Sequence, residues 1–168
     1  MTTQGFFRKH AVLLTLLFVL AVMTMIFCFS SQKAEASNRT SGGIVSLMLS
    51  ILFPGFESME PERQRLIADW TARIIRKTAH FTEYALLGTS LYLHVLAWMA
   101  RREIRRPRLL SLLIGALYAA SDELHQTFVS GRSGEVLDVL LDSAGVLFGI
   151  FLLWWILHLI HKRRARKI

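Results

Sequence analysis

The chain has 168 residues, 53% of them hydrophobic, and carries a formal net charge of +8 at pH 7. This length suits about one domain. A composition that is both this apolar and this basic is typical of neither a soluble domain nor a disordered tail. The basic residues cluster beside long apolar runs, at residues 8–9, 101–108 and 162–167. Membrane insertion produces such flanks. Basic and aromatic residues are not interleaved as they are in many nucleic-acid-binding proteins, so we expect no nucleic-acid partner.

Four apolar runs approach the roughly 20 residues that a helix needs to cross a bilayer. They cover residues 11–29, 79–99, 109–128 and 136–160, and none contains a proline. The first run exceeds the about 7–15 apolar residues of a cleavable signal peptide, so we expect it to be retained, although residues 34–36 resemble a cleavage site. We therefore predict one all-α membrane domain over residues 1–168, with four transmembrane helices.

Basic residues in the short flanks predict the orientation. Five arginines crowd residues 101–108, and five basic residues follow the fourth run, whereas the loop at 129–134 holds only Arg132. The positive-inside rule then places both termini in the cytoplasm.

The segment between the first two runs is expected on the outer side. Residues 44–53 are apolar but too short to cross, which favours a re-entrant or interfacial helix ending at Pro54-Gly55. Residues 60–75 place Leu66, Trp70 and Ile74 at helical spacing. This pattern predicts an amphipathic helix, either on the membrane surface or packed over the mouth of the bundle.

Polar and ionisable side chains gather at the run ends that this topology places outside. In chain order they are Lys77, His80, Glu83, Tyr84, Tyr118, Ser121, Asp122, Glu123, His125, Gln126, Glu135, Asp138 and Asp142. Ionisable groups within a span are costly unless they are paired or hydrated, so we expect these groups to face one another or a water-filled cavity. Gly145 and Gly149 continue the acidic stripe as a GxxxG pair, which permits close approach of another helix.

Four blocks of sequence stand out: RKTAHFTEY at 76–84, SDELHQTF at 121–128 followed by Gly131-Arg132, FSSQ at 29–32, and Asp138 and Asp142 with Gly145. Together they resemble the VanZ-like family. The resemblance covers most of the chain. It implies a small multi-pass protein of the bacterial cell membrane and, through the family's namesake, an association with low-level teicoplanin resistance. It implies no particular reaction.

One hypothesis from the residues is a catalytic site. His80 with Glu83, and Asp122 with His125, each place an imidazole and a carboxylate one helical turn apart, as in carboxylate metal sites of helix bundles. Together with Asp138 and Asp142, these pairs could hold a hydrolytic metal, or divide general acid and base roles without one. The sequence specifies no metal and no cofactor.

A second hypothesis is binding without chemistry. The candidate ligand-binding residues are Lys77, Tyr84, Ser121, Glu123, Gln126 and Arg132. Lys77 and Arg132 suit an anionic lipid headgroup, a phosphate or a carboxylate. The expected partners are then membrane lipids, a lipid-linked envelope component or a glycopeptide.

The third alternative is a structural salt-bridge network. It would pair Lys77 with Glu83 or Asp138. It would also pair Arg132 with Glu123 or Asp142.

Overall fold

The computed structural model describes residues 3–32, 34–99, 106–132 and 134–165, with side chains described for residues 10–32, 41–99, 106–132 and 134–165. Several basic residues that underlie the predicted orientation lie outside these ranges: Arg101, Arg102, Arg105, Arg166 and Lys167, together with the side chains of Arg8 and Lys9.

The described chain is all-α, which confirms the predicted fold class. The helices are α1 (Thr3–Ser30), α2 (Ala34–Leu52), α3 (Pro61–Met99), α4 (Pro107–Gln126) and α5 (Val136–Ala165), with a 3₁₀ turn at Phe56–Ser58. Helix α3 is central, since it packs against each of the other four helices.

Two helices are long and apolar enough to cross a membrane by length and composition, at His10–Ser30 and Val136–Ala165. Many of their large apolar side chains are exposed, as in Leu14 at 65% and Trp155 at 57%. Such exposed apolar surface is unusual for a soluble monomer and suits contact with lipid. Spans in α3 and α4 stay predictions, since charged residues within both helices lower their mean hydropathy.

Helix α3 differs from its prediction. Residues 61–99 form one helix of 39 residues, about 58 Å long, so a separate amphipathic helix at 60–75 is wrong. The reason is local: within residues 61–99 the only proline is Pro61, at the start of the helix, and the only glycine is Gly88, so nothing interrupts the helix at residue 75. Its apolar stripe is exposed, with Leu66 at 65% and Trp70 at 55%, so it does not pack over the bundle mouth. Contact of this stripe with the membrane surface stays a prediction.

Helix α2 contains the predicted apolar segment but begins earlier, at Ala34. Its apolar part, Ser41–Leu52, is shorter than a membrane span. The helix ends just before Pro54, and Gly55 adopts a positive φ of 88° in the following turn. The predicted break is therefore confirmed, whereas the re-entrant or interfacial position is untested.

Close packing of α3 on α5 depends on glycines. A Cβ at Gly149 would lie 1.9 Å from the carbonyl oxygen of Ala85, and a Cβ at Gly145 would lie 2.5 Å from that of Phe81. Gly88 on α3 is equally tight, with Val146 O at 2.1 Å. The predicted role of the GxxxG pair is confirmed, and the contact brings the polar turns of α5 against α3.

Candidate functional site

The predicted polar residues gather at one end of the bundle. We call this the polar end; it comprises the last turn of α1, residues 73–84 of α3, the last two turns of α4, the loop residues 127–132 and 134–135, and the first two turns of α5. The end of α1 is held by two hydrogen bonds, one donated by Arg132 of the loop to Gln32 O and one donated by Ser30 of α1 to Asp122 of α4.

Asp122 joins α4 to α1. Its Oδ1 accepts a hydrogen bond of 2.6 Å from Ser30 Oγ, and its Oδ2 accepts one of 3.2 Å from Gln126 Nε2. Asp122 and Ser30 are both buried. Asp122 is thus satisfied within the protein. Ser30 was outside the predicted site residues, although the FSSQ block at the end of α1 contained it.

Arg132 completes the end of α1. Its guanidinium donates to the backbone carbonyls of Gln32 at 3.0 Å and Phe29 at 3.4 Å, and to Gln126 Oε1 at 3.0 Å. The last carbonyls of a helix lack partners within it and favour a nearby cation. Burial lowers the pKa of Arg132, but a guanidinium remains charged in proteins.

The predicted ion pairs of Arg132 are wrong. Among the described residues it lies within 4.0 Å of no carboxylate, Glu123 and Asp142 included. Instead, Glu123 Oε2 accepts from the backbone N–H of Glu135 at 3.1 Å, and its Oε1 accepts from Gln126 at 3.4 Å. Glu123 therefore stabilises the start of α5, where a negative charge is favourable.

Two predicted residues of α4 point away from the cavities described below. Ser121 is exposed and donates to the carbonyl of Tyr118 in its own helix. His125 Nε2 lies 3.3 Å from Ser31 Oγ, and its ring lies 4.9 Å from that of Phe27. Ser121 thus contacts its own helix, and His125 contacts α1. Tyr118 likewise donates to the carbonyl of Met23 on α1, at 2.7 Å.

A cavity of about 130 Å³ opens between α3, the loop and α5; we call it the polar cavity. Its charged lining residues are Arg73, Arg76, Lys77, Arg132, Glu135, Asp138 and Asp142, and His80 and Gln126 also line it. Lys77 donates to Asp138 and lies 3.9 Å from Glu135, which confirms the predicted Lys77–Asp138 pair. The hydrogen bond to Asp138 raises the pKa of Lys77.

Two side chains that line this cavity have buried polar atoms with no hydrogen-bond partner among the described residues. They are Asp142, through both carboxylate oxygens, and His80, through Nδ1. Asp142 is 0% exposed; Tyr84 is also 0% exposed but does not line this cavity. Since buried polar groups in folded proteins are nearly always hydrogen-bonded, each calls for a physical explanation.

A second cavity, of about 230 Å³, adjoins the first; we call it the apolar groove. Apolar walls come from Phe29, Ile44, Ile75 and Ala79, at the meeting of α1, α2 and α3. Arg76, His80 and Arg132 line both cavities, and Glu83 lines only the groove.

The six candidate catalytic residues therefore do not share one cavity. His80, Asp138 and Asp142 line the polar cavity, Glu83 lines the apolar groove, and Asp122 and His125 bind α1. In the described part of the chain, no group of three or more His, Cys, Asp or Glu residues is placed to hold a metal ion. The donor set thus does not fit the hypothesised metal centre.

A family model described as VanZ/LLP1 matches residues 15–158, which include the whole polar end. The chain belongs to the VanZ-like family. The prediction from the motif blocks is confirmed, and family and apolar helices together make this a membrane protein. Comparisons with curated proteins and with solved structures found no match for this VanZ-like protein.

Proposed function

We propose that this VanZ-like protein binds the anionic headgroup of a lipid or lipid-linked envelope component at its polar end. The observation that carries the proposal is the pair Arg73 and Arg76, on one face of α3 at the polar cavity. Neither forms a hydrogen bond or ion pair with another described residue. A phosphate between two guanidinium groups gains charge-assisted, bidentate hydrogen bonds.

The two adjoining cavities suit an amphiphile. An anionic headgroup would lie in the polar cavity, and an attached chain would leave along Phe29, Ile44 and Ile75 of the apolar groove. Arg76 lines both cavities, so it would lie where headgroup and chain meet. Small-molecule sites commonly combine apolar walls with a few convergent polar groups in this way.

Binding accounts for more of the geometry than the alternatives do. A catalytic site needs its acid and base to converge on one reacting group. Of the six candidates only His80, Asp138 and Asp142 line the polar cavity, and Asp138 is already bound to Lys77. A purely structural network accounts for Lys77 and Arg132, but within the described part of the chain it leaves Arg73 and Arg76 without a hydrogen bond or ion pair.

The proposed topology places this site in the outer leaflet. We propose spans in α1, α3, α4 and α5, with both termini in the cytoplasm. Helix α4 has 20 residues, about 30 Å, which matches a bilayer core. Arg106 and Arg108 before or within its first turn would then lie at the cytoplasmic face, opposite the polar end. Family membership links the protein to teicoplanin resistance, and an outer-leaflet envelope component or the glycopeptide itself would be the relevant partner.

Native mass spectrometry of the detergent-solubilised full chain with dioleoyl phosphatidic acid tests the proposal. The double variant Arg73→Gln/Arg76→Gln should retain about tenfold less lipid, because it loses charge-assisted hydrogen bonds. The matched control is Arg63→Gln/Arg65→Gln, which removes the same charge from exposed positions of α3 that do not line the polar cavity. Equal retention by the two double variants would refute the proposal.

A further inference from the structure

The polar cavity has an acidic wall besides its arginines. Asp138 and Asp142 are four residues apart in the first two turns of α5, so both lie on one face of that helix. Asp138 is bound to Lys77. Asp142 is fully buried, lines the cavity, and has no partner for either carboxylate oxygen among the described residues.

None of the four cations that line the cavity forms an ion pair with Asp142. Lys77 is bound to Asp138, and Arg132 is bound to Gln126 and to the backbone carbonyls at the end of α1. Arg73 and Arg76 have no ion-pair partner among the described residues, and Arg73 is exposed. The buried carboxylate is therefore available to a hydrogen-bond donor that enters the cavity from outside. His80 Nδ1, in the same cavity, is a second buried atom without a partner.

We propose that the bound headgroup is zwitterionic, with its phosphate at Arg73 and Arg76 and a primary ammonium group that donates hydrogen bonds to Asp142. This rests on the proposed function, because the phosphate is the group that the two arginines hold. A primary ammonium has three N–H donors, enough for both oxygens of Asp142 and for Nδ1 of His80 when that atom is unprotonated. A quaternary ammonium of equal charge has none. Phosphoethanolamine, as a lipid headgroup or as the free molecule, has this chemistry.

The test compares three lipids that share the phosphate and the acyl chains but carry a primary ammonium, a quaternary ammonium or no amine. The full chain in detergent is offered dioleoyl phosphatidylethanolamine, dioleoyl phosphatidylcholine or dioleoyl phosphatidic acid, and retention is measured by native mass spectrometry. The wild-type protein should prefer the ethanolamine lipid over the choline lipid by about tenfold, as charge-assisted hydrogen bonds imply. In Asp142→Asn this preference should fall to about threefold or less, because the amide replaces one acceptor oxygen with an NH₂ donor while the shape is kept.

The outcomes separate the two proposals. Equal retention of the ethanolamine and choline lipids by the wild-type protein overturns the zwitterion, and this comparison does not depend on the folding of any variant. If phosphatidic acid is still retained through Arg73 and Arg76, the proposed function survives that result; if no lipid is retained, both proposals fail. With the preference present, competition by free phosphoethanolamine distinguishes the sources: displacement assigns recognition to the headgroup alone, and no displacement assigns it to the lipid.

Discussion

Arg132 Nε donates a hydrogen bond of 3.0 Å to the backbone carbonyl of Gln32, which is 100 residues earlier in the chain. The contact ties the α4–α5 loop to the end of α1. Through Gln126 the same guanidinium also reaches the buried carboxylates of Asp122 and Glu123. Arg132 thus links the loop to the end of α1 by binding backbone carbonyls rather than carboxylates.

Arg132→Gln should lower the free energy of unfolding by about 2 kcal/mol, because hydrogen bonds from a charged donor are lost. Arg132→Lys should not restore it, since an ammonium cannot reproduce the planar guanidinium contacts. Thermal unfolding in detergent measures both. The charge swap Arg132→Glu with Glu123→Arg should also fail to restore stability. Recovery in the swap would show that Arg132 acts through Glu123 after all.

Ser30→Ala should destabilise the protein by about 1–3 kcal/mol, because Asp122 Oδ1 would stay buried without its donor. The control is Ser50→Ala, whose hydroxyl bonds only to a carbonyl of its own helix. Chemical unfolding of both variants in detergent provides the comparison. If the two substitutions lower the free energy of unfolding equally, the hydrogen bond between α1 and α4 contributes nothing to stability.

Gly149→Ala should lower the free energy of unfolding by about 3 kcal/mol or more, since the new Cβ would overlap the backbone of α3 and force the two helices apart. Gly42→Ala is the matched control, as nothing lies within 4 Å of its Cβ position. Yield and unfolding midpoint of the two alanine variants are the measurements. A tolerated Gly149→Ala would argue against the close contact between α3 and α5.

The Lys77–Asp138 pair should make stability depend on pH in the alkaline range. The folded protein raises the pKa of Lys77 above the ordinary 10.5, so the stabilisation is fully present below that value and is lost as the pH rises through the folded pKa. The difference in unfolding midpoint between wild type and Lys77→Met should therefore shrink above pH 10.5. Since Lys77 is 44% exposed, the difference should be small and should decrease with salt. A difference that persists unchanged at high pH would contradict the pair's contribution.

The location of the polar end could be predicted from sequence because helical spacing places Lys77, His80, Asp138 and Asp142 on inward faces once the spans are assigned. The glycine contact followed from the spacing of Gly145 and Gly149. The family followed from the blocks at 76–84 and 121–128.

The side-chain partners could not be predicted in the same way. Arg132 binds backbone carbonyls, and Glu123 binds a backbone N–H. Every residue except proline has both groups, so the sequence does not indicate which backbone group a side chain will bind. The acidic residues close to Arg132 in the sequence, such as Glu123, led us to predict ion pairs instead. The division of the six candidate residues between two cavities likewise depends on which way each side chain points at the α1 contact.

Photocrosslinking in living cells tests whether the polar end binds a lipid headgroup. A photoreactive residue replaces Ala79, in the wall of the apolar groove, and the captured lipids are identified by mass spectrometry. The control position is Leu117, which is 71% exposed on α4 and lies outside both cavities. We expect position 79 to capture lipids of one phosphate-bearing headgroup class, enriched over the bulk composition found at position 117. The same lipid composition at both positions would contradict a headgroup site at the polar end.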